Sequence, residues 1–336
     1  MPNKPLVSLI IPTFNEQDYI RLCLSSAYSQ SYPQELIEIL IVDGCSDDGT
    51  IEIAREQQLS HPNISILKNK KRIQSSAFNL GVSYSKGDII IRWDAHCIYD
   101  SDYIHYCVIN HSERKYGNVG GSITVLPGSE TLMSKNIALI SSSAFGLGGA
   151  AFRKSSPKGF VDTVPFGSFR KEIIGEIGPM NDKLPRGEDN EYNSRIRQVG
   201  YNILLDPRIK STYFARKDLK SFLKQMYTNG YSVGVLLRLS SAYIGIRHLV
   251  PLLFLMFIIT GALFSIFTDY SLYVLSAVLA FYLLLDFTFA IIACIHGNIK
   301  VIPMMIYSVF LVHLCYGYGT LKGLLKGRYS INNSDA

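Results

Sequence analysis

The sequence predicts an α/β domain built on a mainly parallel sheet, followed by helices that cross a membrane. Short runs of Ile, Leu and Val alternate with amphipathic segments over the first two thirds of the chain. Between residues 249 and 321, by contrast, the only charged residues are Asp269, Asp286 and Lys300. The 336 residues are 48% hydrophobic, and the mean hydropathy of +0.16 is high for a soluble enzyme and low for a chain made only of membrane spans.

Four apolar runs predict strands that are covered on both faces, because they are short, rich in branched aliphatic residues and show little alternation of period two. These runs are residues 6–11, 37–42, 64–67 and 89–93. Three amphipathic stretches between them predict helices, at residues 18–30, 50–57 and 74–85. The alternation of strand and helix predicts a parallel sheet, and ligands bind such sheets at the carboxyl ends of the strands.

The middle of the chain gives weaker signals. Residues 119–124 predict a further strand, and residues 141–165, which are rich in Gly, Ser and Phe, predict an irregular loop near a substrate. Residues 188–199 predict a helix with acidic residues in its first turn. Residues 217–247 mix Lys and Arg with Leu, Phe, Tyr and Val, a pattern typical of a helix at a membrane surface.

Three apolar segments then predict transmembrane helices, because each can cross a hydrocarbon core of ~30 Å at ~1.5 Å per residue. They are residues 249–267, 271–295 and 301–321. The alternative is a set of buried helices in a large globular domain, which rarely needs such lengths. Three crossings would place Lys322 and Lys326 on the side away from the α/β domain, against the positive-inside tendency. A re-entrant or interfacial position for one segment therefore stays open.

These patterns predict four regions. The α/β domain occupies residues 1–215, interfacial amphipathic helices occupy 216–248, about three transmembrane helices occupy 249–321, and a polar tail occupies 322–336.

Charge and cysteine usage narrow the function classes. The first 248 residues carry 29 Lys and Arg against 24 Asp and Glu, and this net charge of +5 is diffuse, which suits anionic substrates or an anionic leaflet and does not indicate a nucleic-acid partner. The six cysteines form no CxxC pair and indicate neither a zinc knuckle nor a disulfide framework, so we expect a reducing compartment. The first residues do not resemble a signal peptide, and we expect the α/β domain to be cytoplasmic.

Polar clusters directly follow the first two predicted strands. A carboxylate at a strand end can accept hydrogen bonds from a base or a ribose, and small residues nearby let the backbone approach a ligand. For the second cluster, an Asp-Gly turn with Asp48 as a helix cap is an alternative interpretation. The candidate ligand-binding residues of the two clusters are Pro12, Thr13, Asn15, Glu16 and Asp43.

The fourth predicted strand leads into Asp94 and His96. In extended backbone, residues two apart point to the same side, so this carboxylate and imidazole together could hold one divalent cation, Mg²⁺ or Mn²⁺. Such a cation would offset the charge of a diphosphate leaving group. The alternative is that Asp94 caps a turn and His96 packs on the surface.

A dense acidic group begins the helix predicted at residues 188–199. Glu188 and Asp189 in a first turn could simply complement the helix dipole. Beside a pocket, one of these carboxylates could instead act as a general base towards a hydroxyl group.

Three motifs, taken in order, resemble a known family. Residues 7–50 (VSLIIPTFNEQ to DGCSDDGT), 91–96 (IRWDAH) and 187–201 (GEDNEYNSRIRQVGY) are similar to the family-2 inverting glycosyltransferases of the GT-A fold, and the Asp-Ala-His form resembles the ExoA-like branch that builds bacterial exopolysaccharides. The resemblance covers about residues 5–215. It implies a hexosyltransferase that uses a nucleotide sugar.

The resemblance also implies roles for individual residues. Thr13, Glu16 and Asp43 would contact the nucleoside, and Asp189 would be the catalytic base, with Glu188 beside it. Asp94 and His96 would occupy the place of the Asp-x-Asp metal motif. His96 departs from that motif, so its direct ligation of metal is the less certain part of this expectation.

The processive synthases of the family carry a Gln-x-x-Arg-Trp motif, of which residues 225–229 keep only Gln225. We therefore expect transfer of a single sugar, with inversion, from a nucleotide sugar that we expect to be a UDP-sugar. The expected acceptor is a polyprenyl-diphosphate-linked saccharide at the cytoplasmic face of the inner (plasma) membrane, in the synthesis of a cell-surface polysaccharide. The alternatives are a processive polysaccharide synthase and a non-catalytic membrane scaffold with a nucleotide-binding domain.

Overall fold

The computed structural model describes residues 4–147, 149–153, 156–184, 186–239, 245–295 and 299–326. These residues form two compact units. The first unit comprises residues up to 124 together with 151–213. The second comprises residues 125–150 together with the described residues from 214 onwards.

The first unit is built on a mixed sheet of nine strands, counted over the described residues. Its strands are β1 (Val7–Thr13), β2 (Ile37–Asp43), β3 (Ile64–Lys68), β4 (Ile89–Arg92), β5 (Cys97–Tyr99), β6 (Tyr116–Leu126), β7 (Gly159–Phe160), β8 (Ser168–Arg170) and β9 (Asn202–Phe214). The order is β3-β2-β1-β4-β8-β6-β9-β5, with β7 paired to β9. Strands β1 to β4 are parallel to one another, and β8 joins β4 in the antiparallel direction.

Twelve α-helices lie in the described residues, numbered here in chain order. They are α1 (Ile20–Tyr28), α2 (Thr50–Ser60), α3 (Gln74–Tyr84), α4 (Tyr103–His111), α5 (Leu132–Ser142), α6 (Ala144–Leu147), α7 (Lys171–Ile177), α8 (Glu188–Gln198), α9 (Leu219–Leu239), α10 (Val250–Phe264), α11 (Asp269–Cys294) and α12 (Ile302–Lys326).

The four parallel strands and the helices between them confirm the predicted alternation. The apolar runs lack period-two alternation because both faces of the sheet are covered: Leu9 belongs to one hydrophobic core and Ile10 to the other. In the register of β1 and β2, Thr13 lies opposite Asp43. The two polar clusters that follow these strands are therefore neighbours at the carboxyl edge of the sheet.

The segment predicted to be an irregular loop, residues 141–165, is more ordered than expected. Helix α5 runs to Ser142, the single-turn helix α6 follows it, and β7 adds a short strand. Thr131 caps α5 by accepting a hydrogen bond from the backbone N–H of Ser134 at 3.2 Å. This N-cap lies upstream of the segment and marks the start of the helix whose last two residues enter it.

Three helical segments of the second unit are long and apolar enough to cross a membrane. They are Ile246–Phe264, Asp269–Cys294 and Ile299–Lys326, which correspond to α10, α11 and α12. The helix predicted within residues 217–247 is present as α9, its position at a membrane surface stays a prediction, and residues 240–244 lie outside the described part of the chain.

Helices α9 and α12 approach until their backbones touch. A Cβ atom added to Gly230 would lie 2.1 Å from a backbone oxygen of α12, and one added to Gly234 would lie 2.2 Å from another. On the α12 side of the contact, Cβ atoms added to Gly319 and Gly323 would each lie 2.2 Å from a backbone oxygen of α9. Both helices therefore present a Gly-x-x-x-Gly pattern, the arrangement that permits close packing of membrane helices. We call these four glycines the glycine seam.

We predict that Gly323→Leu destabilises the protein, because the new side chain collides with the backbone oxygen of Tyr231 and forces α9 and α12 apart. The expected loss is at least ~2 kcal/mol, the scale of overpacking in a tight core. The measurement is the fraction of detergent-solubilised protein that stays monodisperse after heating. Gly261→Ala is the control, since its Cβ meets only the flexible side chain of Leu275 at 3.1 Å. Equal losses for the two variants would contradict the proposed role of the seam.

Candidate active site

The loops that follow β1 and β2 are tied together by side chains. Asn15 donates from Nδ2 to Asp47 Oδ1 at 2.7 Å, and its Oδ1 accepts the backbone N–H of Asp47 at 3.0 Å. The backbone N–H of Asn15 donates to Ser46 Oγ at 2.9 Å. Asn15 and Cys45 both adopt left-handed backbone conformations, with φ of 55° and 62°. The two loops thus form one braced structure at the carboxyl edge of the sheet.

Asp43 lies at the centre of this structure and is only 4% exposed. Its carboxylate accepts hydrogen bonds from the backbone N–H of Ser46 at 3.0 Å and from Ser46 Oγ at 2.5 Å. Thr13 Oγ1 lies 3.5 Å from the same carboxylate. These contacts shape the turn, so the structure gives Asp43 a structural role, and its contact with a nucleoside stays a prediction.

Gly49, and not Asp48, occupies the N-cap position of α2, but the Asp48 carboxylate accepts the backbone N–H of Thr50 in the first turn at 2.9 Å, so Asp48 stabilises the helix start as the alternative interpretation expects. Burial opposes the charge of this carboxyl, but the hydrogen bonds from Thr50 outweigh it and lower the pKa of Asp48. Pro12 lies within β1, opposite Val42.

Glu16 reaches from the first loop to the loop that follows β4. Its Oε1 lies 2.8 Å from Nδ1 of His96. The His96 ring also packs edge to face against Tyr213, with centroids 5.2 Å apart. Glu16, expected at the nucleoside, therefore fixes the orientation of the imidazole in the candidate metal motif.

The expectation that Asp94 and His96 share one extended stretch is wrong. Strand β4 ends at Arg92, and a turn at residues 95 and 96 precedes β5. The turn is held because Tyr99, stacked on Trp93 with ring centroids 3.8 Å apart, accepts the backbone N–H of Asp94 at 2.6 Å through its hydroxyl. As a result Asp94 turns to other partners and accepts a hydrogen bond from Gln74 Nε2 at 2.8 Å.

Arg92, the last residue of β4, joins the candidate metal motif to the acidic start of α8. Its guanidinium Nη1 lies 2.5 Å from Asp189 Oδ1 and 3.5 Å from Glu188 Oε1. Its Nε lies 3.7 Å from Asp94 Oδ1. The side chain is only 7% exposed, and burial alone would lower the pKa of Arg92, but the three carboxylates outweigh it and raise that pKa. We call these four residues the carboxylate cluster.

Arg92 is not among the functional residues predicted from the sequence. The available signal was a charged residue at the end of a strand that is otherwise covered on both faces. A guanidinium in such a place is stable only where carboxylates surround it. Asp94, Glu188 and Asp189 meet that requirement, although about a hundred residues separate β4 from α8.

The two acids at the start of α8 differ in exposure. The Asp189 side chain is 37% exposed and that of Glu188 is 8% exposed. Burial and the charge of Asp189 raise the pKa of Glu188 to about 7, with Arg92 opposing the rise. Asp189 and Arg92 also line a small pocket together with Asn118 and Tyr192. Of the two carboxylates, Asp189 is thus the more accessible to a second substrate.

The residues present suit a cation that arrives with a phosphorylated ligand. Among the described residues, no three His, Cys, Asp or Glu side chains meet as a protein-only metal site. A cation shared with a diphosphate needs only one or two protein ligands, because phosphate oxygens and water supply the others. Asp94 offers a carboxylate, and the contact of His96 Nδ1 with Glu16 is the carboxylate-imidazole pairing typical of histidines that bind metal through Nε2.

Residues 8–178 match the family model described as "Glycosyl transferase family 2". A Methanococcus voltae protein named dolichyl N-acetyl-alpha-D-glucosaminyl phosphate 3-beta-D-2,3-diacetamido-2,3-dideoxy-beta-D-glucuronosyltransferase is 34% identical over 333 residues, which cover 96% of this chain and 98% of that protein. The succinoglycan biosynthesis protein ExoA of Rhizobium meliloti is 28% identical over 73% of this chain and 74% of its own length.

Two solved structures share the fold. The mannosyltransferase PcManGT from Pyrobaculum calidifontis, in complex with GDP-Man and Mn²⁺, covers 97% of this chain and 89% of its own, with a TM-score of 0.63 and 17% identity. GalNAc-T7 with UDP, GalNAc and Mn²⁺ covers 73% of this chain and 53% of its own, with a TM-score of 0.52 and 16% identity. These likenesses confirm the predicted GT-A fold class.

The raised pKa of Glu188 predicts how the stability of the protein depends on pH. A carboxyl group whose pKa is higher in the folded protein stabilises the fold less as the pH rises from its ordinary pKa of 4.5 to about 7. The melting temperature of Glu188→Gln should therefore rise relative to that of the wild type between about pH 5 and about pH 7.5. The corresponding change in the difference between their free energies of unfolding is up to ~3 kcal/mol.

The measurement is thermal unfolding of both proteins in detergent across that pH range. Glu56→Gln is the control, since Arg21 lowers the pKa of the exposed Glu56. Its difference from the wild type should not change over the same range. A constant difference for Glu188→Gln as well would show that Glu188 is ionised throughout.

Proposed function

The chain belongs to glycosyl transferase family 2, and on this premise we propose that it transfers one sugar from a nucleotide-sugar donor to a lipid-linked saccharide with inversion at the anomeric carbon. The observation that carries this proposal is the carboxylate cluster. Through Arg92 it draws the candidate base Asp189 to the same edge of the sheet as Asp94 and the braced loops. Donor and acceptor groups can therefore meet there.

In this mechanism Asp189 accepts the proton of the acceptor hydroxyl. The hydroxyl oxygen bonds to the anomeric carbon from one side, the bond to the diphosphate breaks on the other, and its electron pair stays with the diphosphate. Arg92 orients the Asp189 carboxylate. When Asp189 gains the proton, Glu188 and Asp94 still compensate the buried guanidinium, so the cluster can tolerate the change of charge.

We propose that Asp94, with His96 beside it, holds a divalent cation, Mg²⁺ or Mn²⁺, which supplies positive charge to the leaving diphosphate. Glu16 positions His96 through their 2.8 Å contact. Thr13 and Asp43, together with Pro12 and Asn15 of the braced loops, bind the nucleoside end of the donor. The Mn²⁺ in the two similar structures supports the cation, and their GDP-Man and UDP support a nucleotide-sugar donor. A UDP-sugar is our proposed donor.

The proposed acceptor is a saccharide carried on a polyprenyl phosphate or diphosphate. The name of the Methanococcus voltae relative specifies a dolichyl phosphate that carries N-acetylglucosamine. An enzyme anchored by apolar helices is suited to such a substrate, because donor and acceptor then meet at the membrane surface. A place in the synthesis of a surface polysaccharide is supported by the likeness to ExoA.

The proposed location is the plasma membrane, with several crossings and the transferase domain in the cytoplasm. The division into a transferase domain at 1–215, interfacial helices at 216–248, a membrane region at 249–321 and a polar tail at 322–336 is part of the same proposal. The three candidate spans support the membrane region.

The test is sugar transfer by membranes that contain the protein. UDP- and GDP-sugars are supplied singly together with polyprenyl-phosphate-linked and polyprenyl-diphosphate-linked N-acetylglucosamine, and the lipid extract is analysed by mass spectrometry. We expect a mass increase of one sugar for one donor. A ladder of masses would support a processive synthase instead. No product with any donor, while the nucleotide still binds, would support a scaffold.

We predict that transfer requires a divalent cation and that Asp94→Asn lowers it by at least ~100-fold, because an amide is a poor ligand for a cation beside a diphosphate. His96→Ala should lower transfer less, since it removes one neutral ligand. The measurement is turnover in excess chelator and after readdition of Mg²⁺ or Mn²⁺. Undiminished turnover in chelator would refute the cation assignment, and equal losses for the two variants would make His96 an equal ligand.

We predict that Asp189→Asn lowers the rate of the chemical step by ~10²–10⁴-fold, the usual contribution of general-base catalysis, with donor binding nearly unchanged. Glu188→Gln should act more mildly, because Glu188 is buried and faces Arg92. The measurement is single-turnover transfer at saturating donor. If Glu188→Gln abolishes chemistry and Asp189→Asn does not, the roles are reversed. If neither does, the base lies elsewhere.

A further inference from the structure

We propose that α12 does not cross the membrane. In this proposal α5, α9 and α12 form one layer, the interfacial layer, which lies in the headgroup region of the leaflet that faces the transferase domain. Only α10 and α11 cross the bilayer, as a hairpin.

Chain length fixes the side on which α5 and α9 begin. Strand β9 ends at Phe214 and α9 begins at Leu219, and five residues span at most ~18 Å, less than a hydrocarbon core of ~30 Å. The segment that contains α5 leaves β6 after Leu126 and reaches β7 at Gly159. Its helices have 11 and 4 residues, whereas a helical crossing needs about 20. Both helices therefore start on the side of the transferase domain.

Helix α9 itself is not suited to crossing a membrane. It is not among the three segments of the described chain that are long and apolar enough to do so. Lys220 and Lys224 lie in its first two turns. Its large apolar side chains Phe222, Met226 and Leu236 are buried against protein. The helix thus has the amphipathic character of a segment at a membrane surface.

Helix α12 contacts these domain-side segments along most of its length. Ser308 accepts a hydrogen bond from Asn136 Nδ2 of α5 at 3.0 Å, and His313 Nε2 lies 2.9 Å from the backbone oxygen of Phe145 in α6. Further along, Gly319 and Gly323 contact α9 through the glycine seam. From Ser308 to Gly323 the helix advances by ~23 Å. A helix that crossed the bilayer would meet surface segments only near one end.

The distribution of charge agrees with two crossings. If only α10 and α11 cross, Arg247, Lys300, Lys322 and Lys326 all lie on the side of the transferase domain. The connection between the two crossings, residues 265–268, contains no Lys or Arg, and Asp269 follows it. If α12 crossed as well, Lys322 and Lys326 would lie on the far side. The positive-inside tendency favours the first arrangement.

The exposed side chains of the three helices also differ. Those of α10, and of α11 from Val274 onwards, are mostly aliphatic or Phe, such as Phe281 and Leu284, as expected next to lipid tails. The exposed Tyr270 and Tyr273 lie in the first turns of α11, beside the connection to α10. On α12, Tyr307 and Tyr318 are exposed, and Lys322 and Lys326 lie near its end. Tyrosine favours the membrane-water boundary, and lysine favours an anionic headgroup region. The occupant of this face is therefore the polar zone of the bilayer.

The test is labelling of single added cysteines with a membrane-impermeant maleimide, before and after permeabilisation, in cells that express the full chain with its six native cysteines changed to serine. We expect Lys326→Cys and Tyr307→Cys to react only after permeabilisation, as Lys115→Cys of the transferase domain does. Phe267→Cys, in the connection between α10 and α11, should react in intact cells. Phe281→Cys, in the middle of α11, should react in neither condition.

Reaction of Lys326→Cys in intact cells would overturn the proposal, since it would place the end of α12 on the far side. Failure of Tyr307→Cys to react after permeabilisation, as for Phe281→Cys, would also overturn it, because α12 would then lie in the hydrocarbon core. A C-terminal fusion gives a second measurement that does not depend on the cysteine background. Green fluorescent protein should fluoresce there and alkaline phosphatase should be inactive. Neither measurement requires transfer activity, so failure of this proposal and of the proposed function can be told apart.

Discussion

A buried guanidinium is the constraint on which the site depends. Arg92 ends a strand whose other residues are packed on both sides, and a positive charge there costs several kcal/mol unless carboxylates compensate it. Asp94, Glu188 and Asp189 supply that compensation. Helix α8 must therefore begin against the end of β4, and the turn after β4 must return Asp94 towards the arginine. The stability of the fold and the assembly of the groups that we propose to react thus share one electrostatic requirement.

The need to surround Arg92 with carboxylates also explains why the adjacent acids Glu188 and Asp189 differ in exposure. A helix turns by ~100° per residue, so Glu188 and Asp189 cannot both face the guanidinium and solvent in the same way. Glu188 is enclosed, and its raised pKa reflects this. Asp189 keeps an exposed side chain while it contacts Arg92. Both residues carry a carboxylate. Their different positions on the helix leave the Glu188 carboxylate in a largely structural place and the Asp189 carboxylate able to reach a substrate.

Much of the fold could be predicted from the sequence because its signals are local. The runs around Leu9, Ile39 and Ile91 are strand-length and apolar, and the parallel order follows from the helices between them. The turn at residues 95 and 96 could not be predicted in this way, since it depends on Tyr99 reaching back to the Asp94 backbone. The role of Arg92 depends on partners in α8, and the glycine seam on two helices far apart in the chain. Contacts between residues so far apart in the chain cannot be predicted from the local pattern of one sequence.

The braced loops after β1 and β2 bear on the thermodynamics of ligand association. Asn15 and Cys45 hold left-handed conformations that an L-residue adopts at some cost, and the hydrogen bonds of Asn15 with Asp47 and Ser46 join the two loops to each other. Ordering a flexible loop on association would cost ~1–2 kcal/mol of conformational entropy for each residue fixed. Here folding has already met that cost. If the nucleotide binds at this edge of the sheet, as we propose, it would meet loops that are already held by their own hydrogen bonds, and its affinity would carry little deduction for reorganisation of the protein.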